Sequence, residues 1–131
     1  MMVGIEYRIN PSVSSEALNE LFASAWDAHT AKDFAAQLER SLFFICAFSG
    51  SRLVGFVKVI SDAGVHAFLL DTTVHKEFQH RGIGRELVTR AIQESRARGC
   101  DWLHVDYGAH LEMFYQSCGF KPTLAGLVKL S

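Results

Sequence analysis

The stretch QHRGIG, residues 79–84, lies where an apolar strand pattern gives way to a helical one, and it decides how the chain is interpreted. A helix N-terminus presents unpaired N–H groups and the positive end of a dipole. Gly82 and Gly84 lack the Cβ atoms that would keep a ligand away from those N–H groups. Arg81 and Arg85 add positive charge, which opposes the dipole unless an anion binds there. The stretch therefore predicts a cradle for a diphosphate.

Two common phosphate-binding motifs do not fit this stretch. A P-loop requires a lysine directly after its second glycine, and none follows Gly84. A dinucleotide fingerprint requires a third glycine at the position that Leu87 occupies. The remaining alternative to a diphosphate cradle is a plain strand-to-helix turn whose arginines are solvated.

The flanking sequence predicts strands and helices in the order β-α-α-β-β-β-α-β-α-β. This order favours a single domain over residues 1–131, an α/β (α+β) sandwich with a mixed central β-sheet flanked by helices. The predicted strands are Ile5–Ile9, Leu42–Phe48, Leu53–Ile60, Val65–Val74, Trp102–Val105 and one or two closing strands within Phe120–Leu130. The predicted helices begin at Ser14 or Ser15, at Asp33, near Ile83 and at Ala109.

The composition narrows the classes of protein to which the chain could belong. A formal net charge of -1 provides no field to attract nucleic acid or an anionic membrane surface. No apolar run approaches the length of a membrane span, and the first residues do not resemble a signal peptide. Three cysteines without a close C-x-x-C pair argue against a disulfide framework and against a zinc cluster. We therefore expect a cytoplasmic protein with no metal and no nucleic-acid or membrane partner.

Two motifs resemble those of a known family. VHKEFQHRGIG, residues 74–84, resembles the acetyl-CoA signature of the GNAT family of N-acetyltransferases. The pattern [QR]-x-x-G-x-[GA] of that family is matched by Gln79, Gly82 and Gly84. FYQSCGF, residues 114–120, resembles its [FL]-Y-x-x-x-G-F motif, and the order of elements is similar over nearly the whole chain. The resemblance implies an enzyme that uses acetyl-CoA as acyl donor.

The resemblance also implies where the cofactor binds. A bulge in the strand Val65–Val74 would splay it from Trp102–Val105 and leave a wedge for the pantetheine arm. Backbone groups of Thr72 and Val74 would bind the acetyl and pantetheine carbonyls, and N–H groups of residues 79–84 would bind the pyrophosphate. The full set of cofactor-binding residues implied is Thr72, Thr73, Val74, Gln79, His80, Arg81, Gly82, Ile83, Gly84 and Arg85.

By the same resemblance, Tyr115 is the general acid that protonates the departing thiolate, although a core aromatic is the alternative interpretation. The general base is open, because the positions at which several relatives carry a glutamate or histidine are Phe68 and Leu70 here. Strand alternation puts His66 on the same face, where it could act through a water. Asp71 points to the other face unless the bulge turns it.

The acceptor cannot be read from the sequence. Trp26 and Asp106 are candidate substrate-binding residues for a small-molecule or peptide amine. The position of the family's common asparagine is Gly108 here, so the resemblance implies that one polar contact to the cofactor arm is lost, with no effect on the fold. Two functions from different classes stay open: an N-acetyltransferase, and a catalytically silent acyl-CoA-binding sensor or subunit. A homodimer also stays open.

Overall fold

One five-stranded sheet with the strand order β1-β2-β3-β4-β5 organises the molecule. The computed structural model describes residues 4–131. The strands are β1 (Ile5–Ile9), β2 (Phe43–Ser49), β3 (Arg52–Ser61), β4 (His66–Val74) and β5 (Trp102–Val105). The helices are α1 (Ser15–Ala25), α2 (Ala35–Arg40), α3 (Ile83–Ala97) and α4 (Glu112–Ser117), with short 3-10 turns at Lys76–Phe78 and Ala109–Leu111. Neighbouring strands are antiparallel except β4 and β5, which are parallel.

Each face of the sheet carries its own apolar core. On one face, α3 packs Leu87 and Val88 against Val57 and other side chains of the strands. On the opposite face, α1 packs Leu18 and Phe22 against strand side chains that include Phe56. Because β2 and β3 are covered on both faces, they read as continuous apolar runs instead of alternating patterns.

A bulge interrupts β4 where the family resemblance predicts one. The register pairs Phe56 with Thr73 and Lys58 with Leu70. Two residues of β4, Asp71 and Thr72, therefore lie opposite a single residue of β3. Asp71 has a left-handed backbone with φ 59°, a conformation that is uncommon in non-glycine residues. The bulge re-aims the side chains that follow it.

The predicted fold class is confirmed, since helices flank a mixed sheet, and the parallel neighbours β4 and β5 are joined through α3. The prediction of closing strands within Phe120–Leu130 is wrong, because the described residues after α4 form no strand and are mostly exposed. Apolar residues favour an extended backbone, but a strand also requires a neighbour for its backbone hydrogen bonds.

No helix within residues 4–131 combines the length and the apolar character that crossing a membrane requires.

Candidate active site

A cleft of about 570 Å³ lies at the C-terminal end of β4, between the N-terminus of α3 and the helix α4. It lies beside the bulge at Asp71 and Thr72, where the strand turns toward α3. Nine of the ten residues predicted to bind the cofactor line this cleft, and only Arg81 of the ten does not. The nine are Thr72, Thr73, Val74, Gln79, His80, Gly82, Ile83, Gly84 and Arg85. The fold thus gathers residues from a strand, a loop and a helix end around one space.

The N-terminus of α3 is open toward this cleft. Its N-cap residue Gly82 has φ 84° and no side chain that could cap the helix. The first hydrogen bond of the helix runs from the Glu86 N–H to the Gly82 carbonyl at 3.1 Å. The N–H groups of Ile83, Gly84 and Arg85 therefore precede the helical ladder. A Cβ placed on Gly82 would meet no atom within 4 Å, so the space next to these groups is open.

The two arginines of the motif are held by the protein. Arg85 donates through Nη1 to the Ser117 hydroxyl at 2.7 Å and through Nη2 to the Ser117 carbonyl at 2.9 Å. Arg81 donates to the Glu77 carbonyl at 3.1 Å, and its guanidinium lies 5.0 Å from the centre of the Phe78 ring. These contacts offset the cost of placing cations at a helix N-terminus. Arg85 also ties the first turn of α3 to the end of α4.

Tyr115 is buried in the wall of the cleft and is 6% exposed. Its ring stacks on Tyr107 at 5.0 Å and meets Phe120 edge-on at 5.8 Å. Burial raises the pKa of the Tyr115 phenol above its usual value, the nearby Thr72 hydroxyl lowers this pKa, and the Cys118 thiol adds a smaller upward shift. The phenol is therefore protonated at neutral pH and can act as a proton donor.

The Thr72 hydroxyl is a buried polar group that lacks a well-aligned partner. It lies close enough to the Tyr115 phenol to affect the pKa of that group. The two hydroxyls do not meet the geometry of a hydrogen bond, however, and Thr72 Oγ1 has no other partner among the described residues. Because buried hydroxyls in folded proteins nearly always have a partner, this one points to a missing ligand. The open helix end and this hydroxyl together fit a ligand with a diphosphate and a polar, peptide-like arm.

The other predicted site residues, Trp26, His66 and Asp106, do not all lie at the cleft. Trp26 lines the cleft at the end of α1, stacked on Phe22 at 4.8 Å. His66 is at the start of β4, six residues and about 20 Å of strand from Thr72. Its Nδ1 lies 2.8 Å from Nε2 of His104, and neither His66 nor Asp106 lines the cleft. The fold therefore brings Trp26 to the cleft with the predicted cofactor-binding residues and leaves His66 and Asp106 outside it.

A polar cluster that the sequence did not reveal lies on the α2 side of the bulge. Lys58 is 8% exposed, and its Nζ lies 3.0 Å from Asp71 Oδ2 and donates to Gln37 Oε1 at 2.6 Å. The bulge thus turns the Asp71 carboxylate onto the face that Lys58 occupies. The signal in the sequence that could have indicated this cluster is a lone lysine in the apolar run of β3.

Residues 4–131 contain no group of three or more His, Cys, Asp or Glu side chains arranged to hold a metal ion.

Comparisons with known proteins identify the family. A sequence model of the Acetyltransferase (GNAT) family matches residues 13–120. YvbK of Bacillus subtilis (strain 168), named an uncharacterized N-acetyltransferase, is 25% identical over 118 residues, which cover 87% of this chain and 76% of that protein. The uncharacterized N-acetyltransferase ycf52 of Pyropia yezoensis is 31% identical over 72 residues, 55% of this chain. The match covers 41% of ycf52, less than half of that relative's length.

Solved structures share the fold. The aminoglycoside N-acetyltransferase AAC(6')-Iy in complex with CoA superposes with a TM-score of 0.78 at 18% identity, over 98% of this chain and 95% of that one. At this identity the likeness concerns the fold, whereas the family model matches the sequence itself over most of the chain. The sequence motifs, the cleft and the family match agree. The chain belongs to the acetyltransferase (GNAT) family.

Proposed function

We propose that this protein transfers an acetyl group from acetyl-CoA to a primary amine. The observation that carries the proposal is the cleft, which brings the open N-terminus of α3 and the buried Tyr115 together beside the β4 bulge. Acetyl-CoA supplies a thioester whose carbonyl carbon an amine can attack. The N–H groups at the start of α3, with Gly82 leaving space beside them, bind the diphosphate.

The strand end and the tyrosine carry the chemistry. Thr72 and Val74 line the cleft, and in this proposal their backbone groups hold the polar arm of the cofactor. A backbone N–H at the bulge would stabilise negative charge on the thioester oxygen as the amine attacks. Tyr115 donates its phenol proton to the departing sulfur, and its raised pKa keeps that proton in place until then. The unpartnered Thr72 hydroxyl orients the phenol or the arm beside it.

The acceptor we propose is a small molecule or a peptide that carries a primary amine. The fold is shared with an enzyme named for aminoglycosides, which are small molecules with several amines. Trp26 and Ala25 supply an apolar wall of the cleft at the end of α1. A flat aromatic at this point suits contact with the carbon skeleton of an acceptor, and the indole ring can also face an ammonium group.

One observation favours a second candidate, an acyl-CoA-binding sensor or subunit without catalysis. Phe68 and Leu70 are apolar on the strand where a base would be expected. Asp71, the nearest carboxylate to the bulge, is paired with Lys58, and no carboxylate is among the cleft-lining residues that the structure describes. The enzyme then requires an amine that binds in its neutral form, and the proton that this amine loses on forming the amide passes to the Tyr115 phenolate or to water.

The experiment that separates them measures free thiol released from acetyl-CoA across a panel of polyamines, aminoglycosides, amino acids and peptides. The proposed enzyme releases thiol only with some amines, and acetyl-CoA raises its Tm. A sensor shows the Tm increase with no thiol release from any amine. If millimolar acetyl-CoA leaves the Tm unchanged, both candidates are wrong.

A further inference from the structure

A buried ion pair lies behind the bulge of β4. Lys58 is 8% exposed, and its Nζ lies 3.0 Å from Asp71 Oδ2. The same Nζ donates a hydrogen bond to Oε1 of Gln37, on α2, at 2.6 Å. A lysine is rarely buried unless it is paired, because its ammonium group loses hydration in the interior. The place of Lys58 in the apolar run of β3 therefore depends on these two partners.

The bulge is what brings Asp71 to Lys58. Lys58 pairs with Leu70 across β3 and β4, so these two side chains share one face of the sheet. Regular strand alternation would place the next residue, Asp71, on the opposite face, against the apolar core beneath α3. The left-handed backbone of Asp71 interrupts this alternation, and the carboxylate lies on the face of Lys58 instead.

The ion pair favours the bulged register over a regular one. A left-handed backbone is unfavourable for a residue with a Cβ atom, and a buried ammonium group is unfavourable without a counterion. The bulge creates the first cost and removes the second. A regular β4 would leave Lys58 with Gln37 alone and would put a carboxylate into an apolar core. On the other side of the bulge, the Thr73 hydroxyl donates to the Asp71 carbonyl at 2.9 Å.

The bulge also carries the groups of β4 that face the cleft. Thr72 and Thr73 follow Asp71 directly and line the cleft, and the Thr72 hydroxyl lies near the Tyr115 phenol. Lys58 is not among the cleft-lining residues of the described part of the chain. Any effect of Lys58 on the reaction must therefore pass through Asp71 and the backbone that follows it.

We propose that Lys58 is a positioning residue for acyl transfer, which fixes the β4 bulge by holding the Asp71 carboxylate. The inference rests on the proposed function and adds to it a residue that touches neither acetyl-CoA nor the amine. A donor to the thioester oxygen is effective only at a fixed distance and direction. A displaced bulge would lower kcat, while the N–H groups at the start of α3 would still bind the diphosphate.

The first test compares two substitutions of Lys58 in the full chain. Lys58→Met replaces the ammonium group with an apolar side chain, and kcat for thiol release should fall by about 10 to 100-fold. The Kd of acetyl-CoA, measured by calorimetry, should change little. Lys58→Arg keeps a positive charge and should retain more of the native kcat than Lys58→Met does.

Val59→Ala is the matched control for a general loss of stability. Val59 follows Lys58 on β3, is fully buried in the core on the α3 face and takes no part in the ion pair. The substitution should lower the Tm, because it leaves a small cavity, and should leave kcat nearly unchanged. If Lys58→Met has a kcat no lower than that of Val59→Ala, the proposal is overturned.

A double-mutant cycle tests whether Lys58 acts through Asp71. Asp71→Asn removes the charge but tolerates the left-handed backbone, because asparagine adopts this conformation more readily than most residues. Its side chain is 33% exposed, so this variant also serves if Lys58→Met does not fold. Asp71→Asn should lower kcat, and the double variant should be no slower than the slower single variant. A native kcat in Asp71→Asn, or losses that multiply in the double variant, would contradict the proposal.

Amide exchange measured by NMR tests the bulge without any turnover. The amides of residues 70–74, compared with those of β2 in the same sample, should exchange about tenfold faster in Lys58→Met than in the native chain or Val59→Ala. Unchanged relative exchange in Lys58→Met would overturn the proposal. If the native chain releases thiol with no amine, the proposed function is wrong, and the exchange result alone decides whether Lys58 holds the bulge.

Discussion

The N-termini of α1 and α3 differ in whether a side chain caps their unpaired backbone N–H groups. At the start of α1, the Ser14 hydroxyl accepts a hydrogen bond from the Ala17 N–H at 3.1 Å, and Glu16 places a negative charge in the first turn. At the start of α3, Gly82 provides no cap, and the first turn carries Arg85 as well as the acidic Glu86. Both helices pack on the sheet, so burial alone does not account for the difference.

Under the proposed function, the difference means that α1 is capped for stability and α3 is left open for a ligand. A capped N-terminus satisfies its own N–H groups, whereas an uncapped one leaves them to an anion. The open end is nevertheless held in place, because Ile83 is buried in the core and Arg85 is bonded to Ser117. A Cβ added to Gly84 would lie at ordinary contact distance from the Val74 and Phe114 side chains. The donors are therefore fixed before a ligand arrives, which lowers the entropy lost on binding.

The largest effect is expected from Tyr115→Phe, which tests whether the cleft beside the open N-terminus of α3 is a catalytic site. Removing a general acid reduces kcat by about 10² to 10⁴-fold, while the buried ring and its packing are retained. The affinity for acetyl-CoA should change little, because the phenylalanine keeps the apolar wall. Steady-state kinetics with the best amine from the panel, together with calorimetric titration of acetyl-CoA, measures both quantities.

Tyr107→Phe is the matched control, since Tyr107 stacks on Tyr115 but does not line the cleft. It should leave kcat nearly unchanged. Equal turnover of the native enzyme and Tyr115→Phe would show that Tyr115 is not the general acid.

The pKa of Tyr115 is raised in the folded state, so ionisation of this phenol should not reduce kcat until the pH exceeds about 10. For the same reason the free energy of unfolding should decrease as the pH rises above about 10, and less so in Tyr115→Phe.

A smaller effect is expected from Gly82→Val, which alters the open helix end directly. A side chain here fills the space beside the N–H groups of α3 and disfavours φ 84°. Loss of about one or two charge-assisted hydrogen bonds to the diphosphate should weaken acetyl-CoA binding by roughly 10 to 100-fold. Isothermal titration calorimetry measures the affinity, and urea denaturation measures the accompanying loss of stability.

Gly99→Val separates the loss of binding from backbone strain. Gly99 follows the other end of α3, has φ 88°, and also has open space around it. Both variants should lose similar stability, about 1 to 2 kcal/mol, but Gly99→Val should bind acetyl-CoA as the native protein does. If the two variants bind acetyl-CoA equally well, the N-terminus of α3 is not the diphosphate site.

The smallest effect is expected from Ser14→Ala, which removes the cap of α1. The free energy of unfolding should fall by about 1 kcal/mol, as is usual for the loss of an N-cap hydrogen bond. Acetyl-CoA affinity should be unchanged, because Ser14 does not line the cleft. Ser51→Ala, in an exposed turn, is the control and should change neither quantity. A loss of acetyl-CoA affinity in Ser14→Ala would show that the two helix ends are not functionally distinct.

Local patterns predicted the elements well where each element has its own periodicity. The β5 boundaries were predicted as Trp102–Val105 and are found there. The glycines that open α3 were visible too, because a φ of 84° at Gly82 is a property of one residue and its neighbours. The closing strands within Phe120–Leu130 could not be predicted correctly, because local apolar character does not reveal whether a strand partner is present.

The sequence by itself determined the order of elements from β1 to α4 and the glycines that open α3, since both follow from residue types at short spacings. The candidate Tyr115 came from the resemblance to a family motif. The tertiary structure decided which of these residues share a space. The bulge at Asp71 turns its carboxylate to Lys58, Arg85 bonds to Ser117, and His66 lies outside the cleft. These outcomes depend on strand register and on contacts between residues far apart in the chain, which a local pattern does not encode.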